Sequence, residues 1–467
     1  MQSTSQEPDD EDESDAHSYY HSYLLPFDPK ELARITTNVE RSSSGSSGPR
    51  TYNQYVRGEK IGKGKHGDVY VCRDQEIGGY ELAMKIVRKS NNRDRIKLLR
   101  RTYQQENLNG QPALNSTMNS IRREIALMQK FRHANVVRLV EVLDDLKDDK
   151  IYIVMEYLSG GPVEWCDNES RPILKLQQTR RIMRDTILGL EYLHHEGIIH
   201  RDIKPANILY TSDRRSVKII DFGVAHFIPP QTPPPSKTIK GKQPSQPEPV
   251  AYKIDPSLFP ESDIRKRAGT PSFLAPEVVW FSDDGPNLSP SLSYDTILEG
   301  MDDNAGFQKP KQRPPVTKSI DVWSLGVTFY CLLFGHTPFT VPSSPNENMQ
   351  RSEFVLYNII CTKDWPVDAS MGADSVATGG KRPTESDSEG YSVVQLLGQM
   401  LQKDPQNRTS LQEIKVQANS WILKDVENPR EWLQATSPSR DYEDVKTPSS
   451  WVKSASKKIL RLIPRKG

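Results

Sequence analysis

The stretch "HRDIKPAN", His200–Asn207, decides how this chain is read. "DFG" follows at Asp221–Gly223 and "APE" at Ala275–Glu277, and three such runs meeting by chance in this order is negligible. Upstream, "QTRRIMRDTILGLEYLHHEG" has helical spacing, and that character continues to about Trp421. Before Gly160-Gly161-Pro162 the pattern differs. Short apolar runs, "EKIGKG", "GDVYVCR" and "ELAMKIV", are separated by glycines and predict an antiparallel strand meander from Tyr55. One helix, "SIRREIALMQKF", with Ile121, Ile125 and Met128 on one face, precedes two further strands, "VVRLVEVLDD" and "KIYIVMEYL".

At 467 residues, with 35 Pro and a mean hydropathy of −0.66, one bilobal globular unit with unpacked additions is expected. Residues 1–50, acidic and then "RSSSGSSGPR", predict a disordered segment. Insertions are expected at 88–119 (basic), 228–265 (Pro-rich), 282–315 and 367–389. No apolar run approaches the roughly 18 residues that span a bilayer, and the acidic start is unlike a signal peptide. Cys72, Cys166, Cys331 and Cys361 lack metal-ligand spacing, which fits a reducing compartment. The reading is a monomer in the cytoplasm, with the nucleus also open to it. The net charge of +1 points to no nucleic-acid partner, although the ends differ sharply in sign.

"GKGKHGDV", Gly62–Val69, fits a glycine-rich turn whose backbone N–H groups can approach phosphates, although a plain hairpin turn is the commoner meaning. Lys85 ends "LAMK" on the next strand, where its ammonium reaches beneath that turn. Glu124 on the following helix is its natural partner, because a partly buried ammonium needs one.

Together these runs resemble the signature set of the protein kinases over roughly residues 55–424. The resemblance implies an α+β, bilobal fold: an antiparallel-sheet N-lobe with one main helix (51–158) and a mainly helical C-lobe (159–424), with ATP and Mg²⁺ between them. Phosphoryl transfer needs positioning and charge neutralisation more than covalent chemistry. Asp202 is then the carboxylate that orients the acceptor hydroxyl and takes its proton, a role worth about two to four orders of magnitude. Lys204 contacts the transferred group and marks the serine/threonine type. Asn207 and Asp221 are the Mg²⁺ ligands, hard oxygens suited to that ion. Lys85 holds the α- and β-phosphates and Glu124 holds Lys85. The glycine turn, Ile61, Gly62, Lys63, Gly64, Lys65, His66 and Gly67, covers the nucleotide. Adenine is expected between Ile61, Val69 and Ala83 above and Leu209 below, with Met155 as gatekeeper and the backbone from Glu156 to Leu158 as hinge. Thr270 matches the threonine that bonds the catalytic aspartate and lysine. Glu277 and Arg408 match a structural ion pair, and Asp321 a support of the catalytic loop. With every such position intact, a catalytically dead scaffold is disfavoured.

More particular runs, "LVEVLDD", "MEYLSGGPVEW", "DFGVAHF" and "AGTPSFLAPE", are similar to the calcium/calmodulin-dependent protein kinase kinases and their fungal relatives upstream of AMP-activated protein kinase. That resemblance implies protein substrates that are themselves kinases, AMP-activated-type or calmodulin-dependent, phosphorylated on an activation-loop threonine. In the family the insertion before the Glu124 helix is rich in Arg-Pro. Here it carries Arg93, Arg95, Lys97, Arg100 and Arg101 but no Arg-Pro, so substrate recognition and a plain solvated helix both stay open. The activation segment is lengthened by a Pro-rich run read as passive.

Residues 425–467 are expected to be a regulatory tail. In "WVKSASKKILRLIPRKG", Trp451, Ile459 and Leu462 share one helical face and the basic residues occupy the rest. Such a helix suits calmodulin, an anionic membrane or docking on the C-lobe. Its place after the kinase lobe favours calmodulin. The competing function is a constitutive serine/threonine kinase of other substrates whose tail binds membranes or scaffolds.

Overall fold

The computed structural model describes residues 33–43, 48–64, 67–89, 116–228, 254–280, 312–341, 349–380, 388–416 and 421–437. Lys65, His66, the basic residues 93–101 and the tail residues Trp451, Ile459 and Leu462 lie outside the described residues.

Eight strands form the N-lobe sheet: β1 (Arg34–Thr36), β2 (Arg41–Ser43), β3 (Arg50–Tyr52), β4 (Tyr55–Lys63), β5 (Gly67–Asp74), β6 (Tyr80–Arg88), β7 (Leu139–Leu143) and β8 (Lys150–Glu156). Their spatial order is β1-β7-β8-β6-β5-β4-β3-β2. The period-2 alternation of a strand divides β6 and β8 between two cores. Leu82 and Met84 of β6 and Tyr152 and Val154 of β8 enter a small cluster with Tyr52 and Tyr55. Val87, Ile151 and Ile153 join the main core with Ile121, Leu127 and Met128 of α1 (Ser116–Met128). The sheet is thus packed on both faces.

Four expectations are corrected here. Residues 1–50 were expected to be disordered, yet β1, β2 and the start of β3 fall within them; β4, β5 and β6 form the antiparallel meander expected from Tyr55, and the pairing of β1 with β7 adds a parallel edge to it. β1 and β2 sit at opposite ends of the strand order, but Thr36 and Arg41 are five residues apart, a reach of no more than about 18 Å. The sheet must therefore roll until its edges approach. Glu141 holds the closure: it accepts hydrogen bonds from Tyr55 Oη at 2.6 Å, Gln54 Nε2 at 3.1 Å and the Thr36 hydroxyl, and it pairs with Arg34 at 3.1 Å. Such short polar strands carry no apolar pattern.

The second correction concerns the Pro-rich insert, whose end is structured. Single 3-10 turns at Pro256–Leu258 and Glu261–Arg265 bury Phe259 and Ile264 in the main core. The third concerns 367–389, where strands β13 (Ser370–Met371) and β14 (Val376–Ala377) form a hairpin and Met371 is fully buried. The insert expected at 88–119 likewise gives way to α1 from Ser116.

The C-lobe is built on α2 (Leu176–His195), which buries Ile182, Met183, Ile187, Leu190 and Leu193 at helical spacing. Two-stranded pairs follow, β9 (Ile198–Ile199) with β12 (His226–Phe227) and β10 (Ile208–Tyr210) with β11 (Val217–Ile219). After the short α3 (Pro276–Val279), α4 (Ser319–Phe334) is buried from Ile320 to Phe334, which explains why it is apolar all round. Helices α5 (Met349–Thr362), α6 (Glu389–Met400) and α7 (Leu411–Val416) complete the lobe. The tail begins with α8 (Pro429–Ala435), whose C-terminal Thr436 carbonyl accepts from Lys415 at 3.2 Å. No helix of the described residues is long and apolar enough to cross a membrane.

Candidate active site

The loop between β9 and β10 places Asp202, Lys204 and Asn207 on the rim of the cleft between the lobes, and it is held from below by one carboxylate. Asp321 at the start of α4 is fully buried and accepts the backbone N–H groups of His200 and Arg201, each at 2.8 Å, and His194 Nε2 at 2.8 Å. Burial pushes its carboxyl up, but the His194 bond and the Arg201 N–H outweigh that and hold it below the usual carboxylate range. His200 itself accepts the Asp202 N–H on Nδ1 at 3.2 Å, so its Nε2 carries the proton donated to the Ile220 carbonyl at 2.9 Å. Arg201 and Asp221 both have left-handed backbones, φ 70° and 63°, a strain of about 1–3 kcal/mol each that surrounding bonds must hold.

Both oxygens of Asp202 are engaged. Thr270 donates to Oδ1 from its backbone N–H at 2.8 Å and from its hydroxyl at 2.7 Å. Lys204 Nζ lies 2.8 Å from Oδ2, and Asn207 Nδ2 donates to it at 3.0 Å. Lys204 also donates to the Thr270 hydroxyl at 2.6 Å, closing a triangle of carboxylate, ammonium and hydroxyl. The activation segment approaches so closely here that a Cβ on Gly269, whose φ is +120°, would lie 2.4 Å from the Arg201 carbonyl. Only glycine fits.

Across the cleft, Lys85 and Val69 face each other on β6 and β5, and Lys85 Nζ is bonded to Glu124 on α1. Burial would lower the ammonium's pKa, yet Glu124 and Asp221 raise it above the ordinary lysine value, so it stays charged. A Cβ added at Gly223 would meet Asp221 Oδ1 at 3.2 Å and Glu124 Oε2 at 3.9 Å, which brings these two carboxylates to one point. Phe222 is turned away and packs against the rings of Phe131 and His200, at centroid distances of 4.3 and 5.1 Å.

Gly64 and Gly67 of the turn have different reasons. A Cβ at Gly67 would fall 1.9 Å from the Ile86 carbonyl, so this glycine serves strand packing. At Gly64 the nearest atoms are the Gly67 carbonyl oxygen at 3.5 Å and Lys85 Cε at 3.7 Å, leaving open approach above the lysine. Gly62 pairs with Val69 and Lys63 with Asp68 to frame the turn, and Ile61 is exposed. Ala83 lies opposite Met155, and Leu209 is half-buried against the main core, so a flat apolar slot borders the hinge. Leu158 is buried. The side chain of Glu156 turns away from that slot to Lys218, leaving its backbone to the hinge.

Glu277 and Arg408 form two bonds, 2.7 and 2.9 Å, with no solvent exposure of either side chain. Sequence reading missed Lys218, His194, Arg313 and the pairing of Arg123 with Asp263. Each is a charged or polar residue in an unremarkable context, and no spacing signal marks it.

Fitted to nucleotide chemistry, the set is coherent. One buried cation, an open glycine turn, an apolar slot and two Mg²⁺-type ligands, Asn207 and Asp221, converge, and Ile220 donates to the Asn207 carbonyl at 3.0 Å to set those ligands side by side. Two protein ligands suit an ion that completes its shell with phosphates and water. The sequence matches the protein kinase domain over residues 55–292 and 311–422. The chain belongs to the protein kinase family.

This kinase is 34% identical over 412 residues to serine/threonine-protein kinase ssp1 of Schizosaccharomyces pombe, covering 88% of the chain and 48% of that relative. It is 32% identical over 398 residues to SNF1-activating kinase 1 of Saccharomyces cerevisiae, covering 83% of the chain and 29% of the relative. With the calcium/calmodulin-dependent protein kinase kinase of Caenorhabditis elegans it shares 30% identity over 419 residues, 89% of the chain and 61% of that protein. The chain therefore spans between 29% and 61% of the length of these relatives.

Proposed function

We propose that this protein transfers the γ-phosphoryl group of ATP to a serine or threonine hydroxyl of other protein kinases, at the activation-loop threonine of AMP-activated or SNF1-type enzymes. The observation that carries the chemistry is the triangle of Asp202, Lys204 and Thr270. Asp202 orients the acceptor hydroxyl and takes its proton as the new O–P bond forms. The bond from the γ-phosphorus to the β,γ-bridging oxygen breaks, and ADP leaves with that electron pair. Lys204 balances charge on the moving group, and Lys85, fixed by Glu124, holds the phosphates that stay. Mg²⁺, when held by Asn207 and Asp221, supplies further neutralisation of phosphate charge.

The names of two relatives, SNF1-activating kinase 1 and calcium/calmodulin-dependent protein kinase kinase, support a substrate that is itself a kinase. The decisive experiment incubates the full chain with ATP, Mg²⁺ and a catalytically inactive SNF1-type kinase and reads phosphate on its activation-loop threonine by mass spectrometry. Phosphate that appears with the wild type and not with D202N supports the reading. No phosphate on that threonine overturns it.

Calcium/calmodulin control through Trp451, Ile459 and Leu462 belongs to the same proposal, supported by the basic amphipathic pattern of residues 451–463. Calmodulin titrated onto the full chain should bind tightly only with calcium, and W451A should weaken that binding strongly. Unchanged binding would reject this placement and leave the alternative, a constitutive kinase with a membrane or scaffold tail.

A further inference from the structure

Asp263 stands where three parts of the kinase meet. It lies in the 3-10 turn Glu261–Arg265 of the activation segment and is 8% exposed. Its Oδ2 is 2.9 Å from Arg123 Nη1 and its Oδ1 is 2.5 Å from Lys266 Nζ. Arg123 is the α1 residue next to Glu124, and its guanidinium also lies over the ring of Phe259, 5.8 Å from the centroid. Phe259 in turn meets His226 and Phe227 of β12 edge-on.

The same turn is fastened from the other side through its backbone. Arg201 of the catalytic loop donates to the Lys266 carbonyl at 2.6 Å and the Ile264 carbonyl at 3.5 Å. Arg313 donates to the Arg265 carbonyl between them at 2.8 Å and to the Glu277 and Val278 carbonyls of α3 at 2.7 and 3.1 Å. Three successive carbonyls are thus held to the C-lobe by two arginines. Asp263, within this clamped turn, reaches the N-lobe helix. A half-buried guanidinium has few other partners there, and a charge-assisted bond of this kind is about twice as strong as a neutral one.

Resting on the kinase reading of the site, we propose that Asp263 is a positioning residue for phosphoryl transfer: it anchors α1 through Arg123 to the clamped activation segment and thereby keeps Glu124 on Lys85. The cation that holds the nucleotide phosphates is then set by a charge on the opposite lobe. Loss of the Asp263 charge frees one side of α1, and Glu124 spends less time on Lys85.

The test uses the full chain and four variants, D263N, D263E, R123Q and the double variant D263N/R123Q, assayed for phosphate transfer to any accepted protein substrate with ATP varied. D263N is expected to lower kcat/KM for ATP at least tenfold, with a melting temperature within about 2 °C of wild type. D263E should recover most of the loss, because it keeps the charge. The double variant should be no worse than the weaker single variant, since both act through one contact. Wild-type kinetics in D263N overturn the proposal, as do additive losses in the double variant or equal losses in D263E and D263N. A wild type inactive on every substrate would instead overturn the kinase reading itself, so the two failures are separable.

Discussion

Glu156, the last residue of β8, and Lys218 of β11 form a buried ion pair of 2.7 and 2.9 Å that ties the hinge to the strand leading into Asp221. Both side chains are less than a tenth exposed. Removing one member of such a pair leaves an unpaired buried charge at a cost of about 3–5 kcal/mol. Lys218→Met is expected to lower the urea midpoint accordingly and, on the proposed kinase reading, to raise KM for ATP, since the hinge backbone borders the apolar slot. An unchanged midpoint would show that the pair contributes little.

Thr270 sits between Asp202 and Lys204, donating to the one and accepting from the other. Thr270→Val keeps the shape and the backbone N–H bond but removes the hydroxyl. The expected result is a fall in kcat of about 10- to 100-fold, in the range of a lost positioning group, with little change in KM for ATP. Thr270→Ser should restore activity. Failure of serine to rescue would assign the threonine methyl, and not the hydroxyl, the main role.

Glu141 joins the N-terminal strands to the rest of the sheet through Arg34, Thr36, Gln54 and Tyr55. Burial and the Glu141 hydrogen bond push the Tyr55 hydroxyl well above its ordinary pKa, so it remains a donor. Glu141→Leu should destabilise the protein by about 1–3 kcal/mol by leaving the buried hydroxyl unpaired. Hydrogen exchange should quicken first in β1 and β3. Exchange spread evenly over the sheet would argue against a local closure.

His226 is buried, and burial followed by Arg201 and Arg123 lowers its pKa to about 4 against the opposing pull of Asp263. The unfolded chain titrates at about 6.5, so between these values it alone binds the proton. Stability is unaffected above pH 6.5 and falls as the pH drops toward 4, by about 2 kcal/mol at pH 5 for this group. His133, also lowered to about 4 by burial, acts in the same direction. Asp185, raised to about 6 by burial, acts oppositely because the folded state binds its proton first. His226→Gln should therefore lose less stability between pH 7.5 and pH 5 than wild type in urea titrations. Equal losses would contradict the assignment.

The bilobal fold, and the residues that meet at the cleft, were legible without coordinates. Asp202, Lys204 and Asn207 lie in one short run and Asp221 in a second, so their spacing is itself chemical information. Lys85 and Glu124 could be paired in advance, because a strand and the next helix carried complementary charges facing one cleft. Glycine spacing located the turn but not its causes: only packing separates Gly67, blocked by a carbonyl, from Gly64, open above the lysine.

What holds these groups in place was invisible until the chain was folded. Thr36 and Glu141 are 105 positions apart and Lys218 and Glu156 are 62 apart, with no periodicity to connect them. Asp263 lay in a stretch whose Pro-rich neighbours read as a loop, and Arg34 in one whose Ser and Gly read as disorder. In one dimension each is a charge in a polar context, indistinguishable from a solvated surface residue. Local runs of sequence determined which residues gather at the cleft. The burial of charges against distant partners, which depends on where tertiary packing excludes water, decided how the lobes, the activation segment and the N-terminal strands are joined.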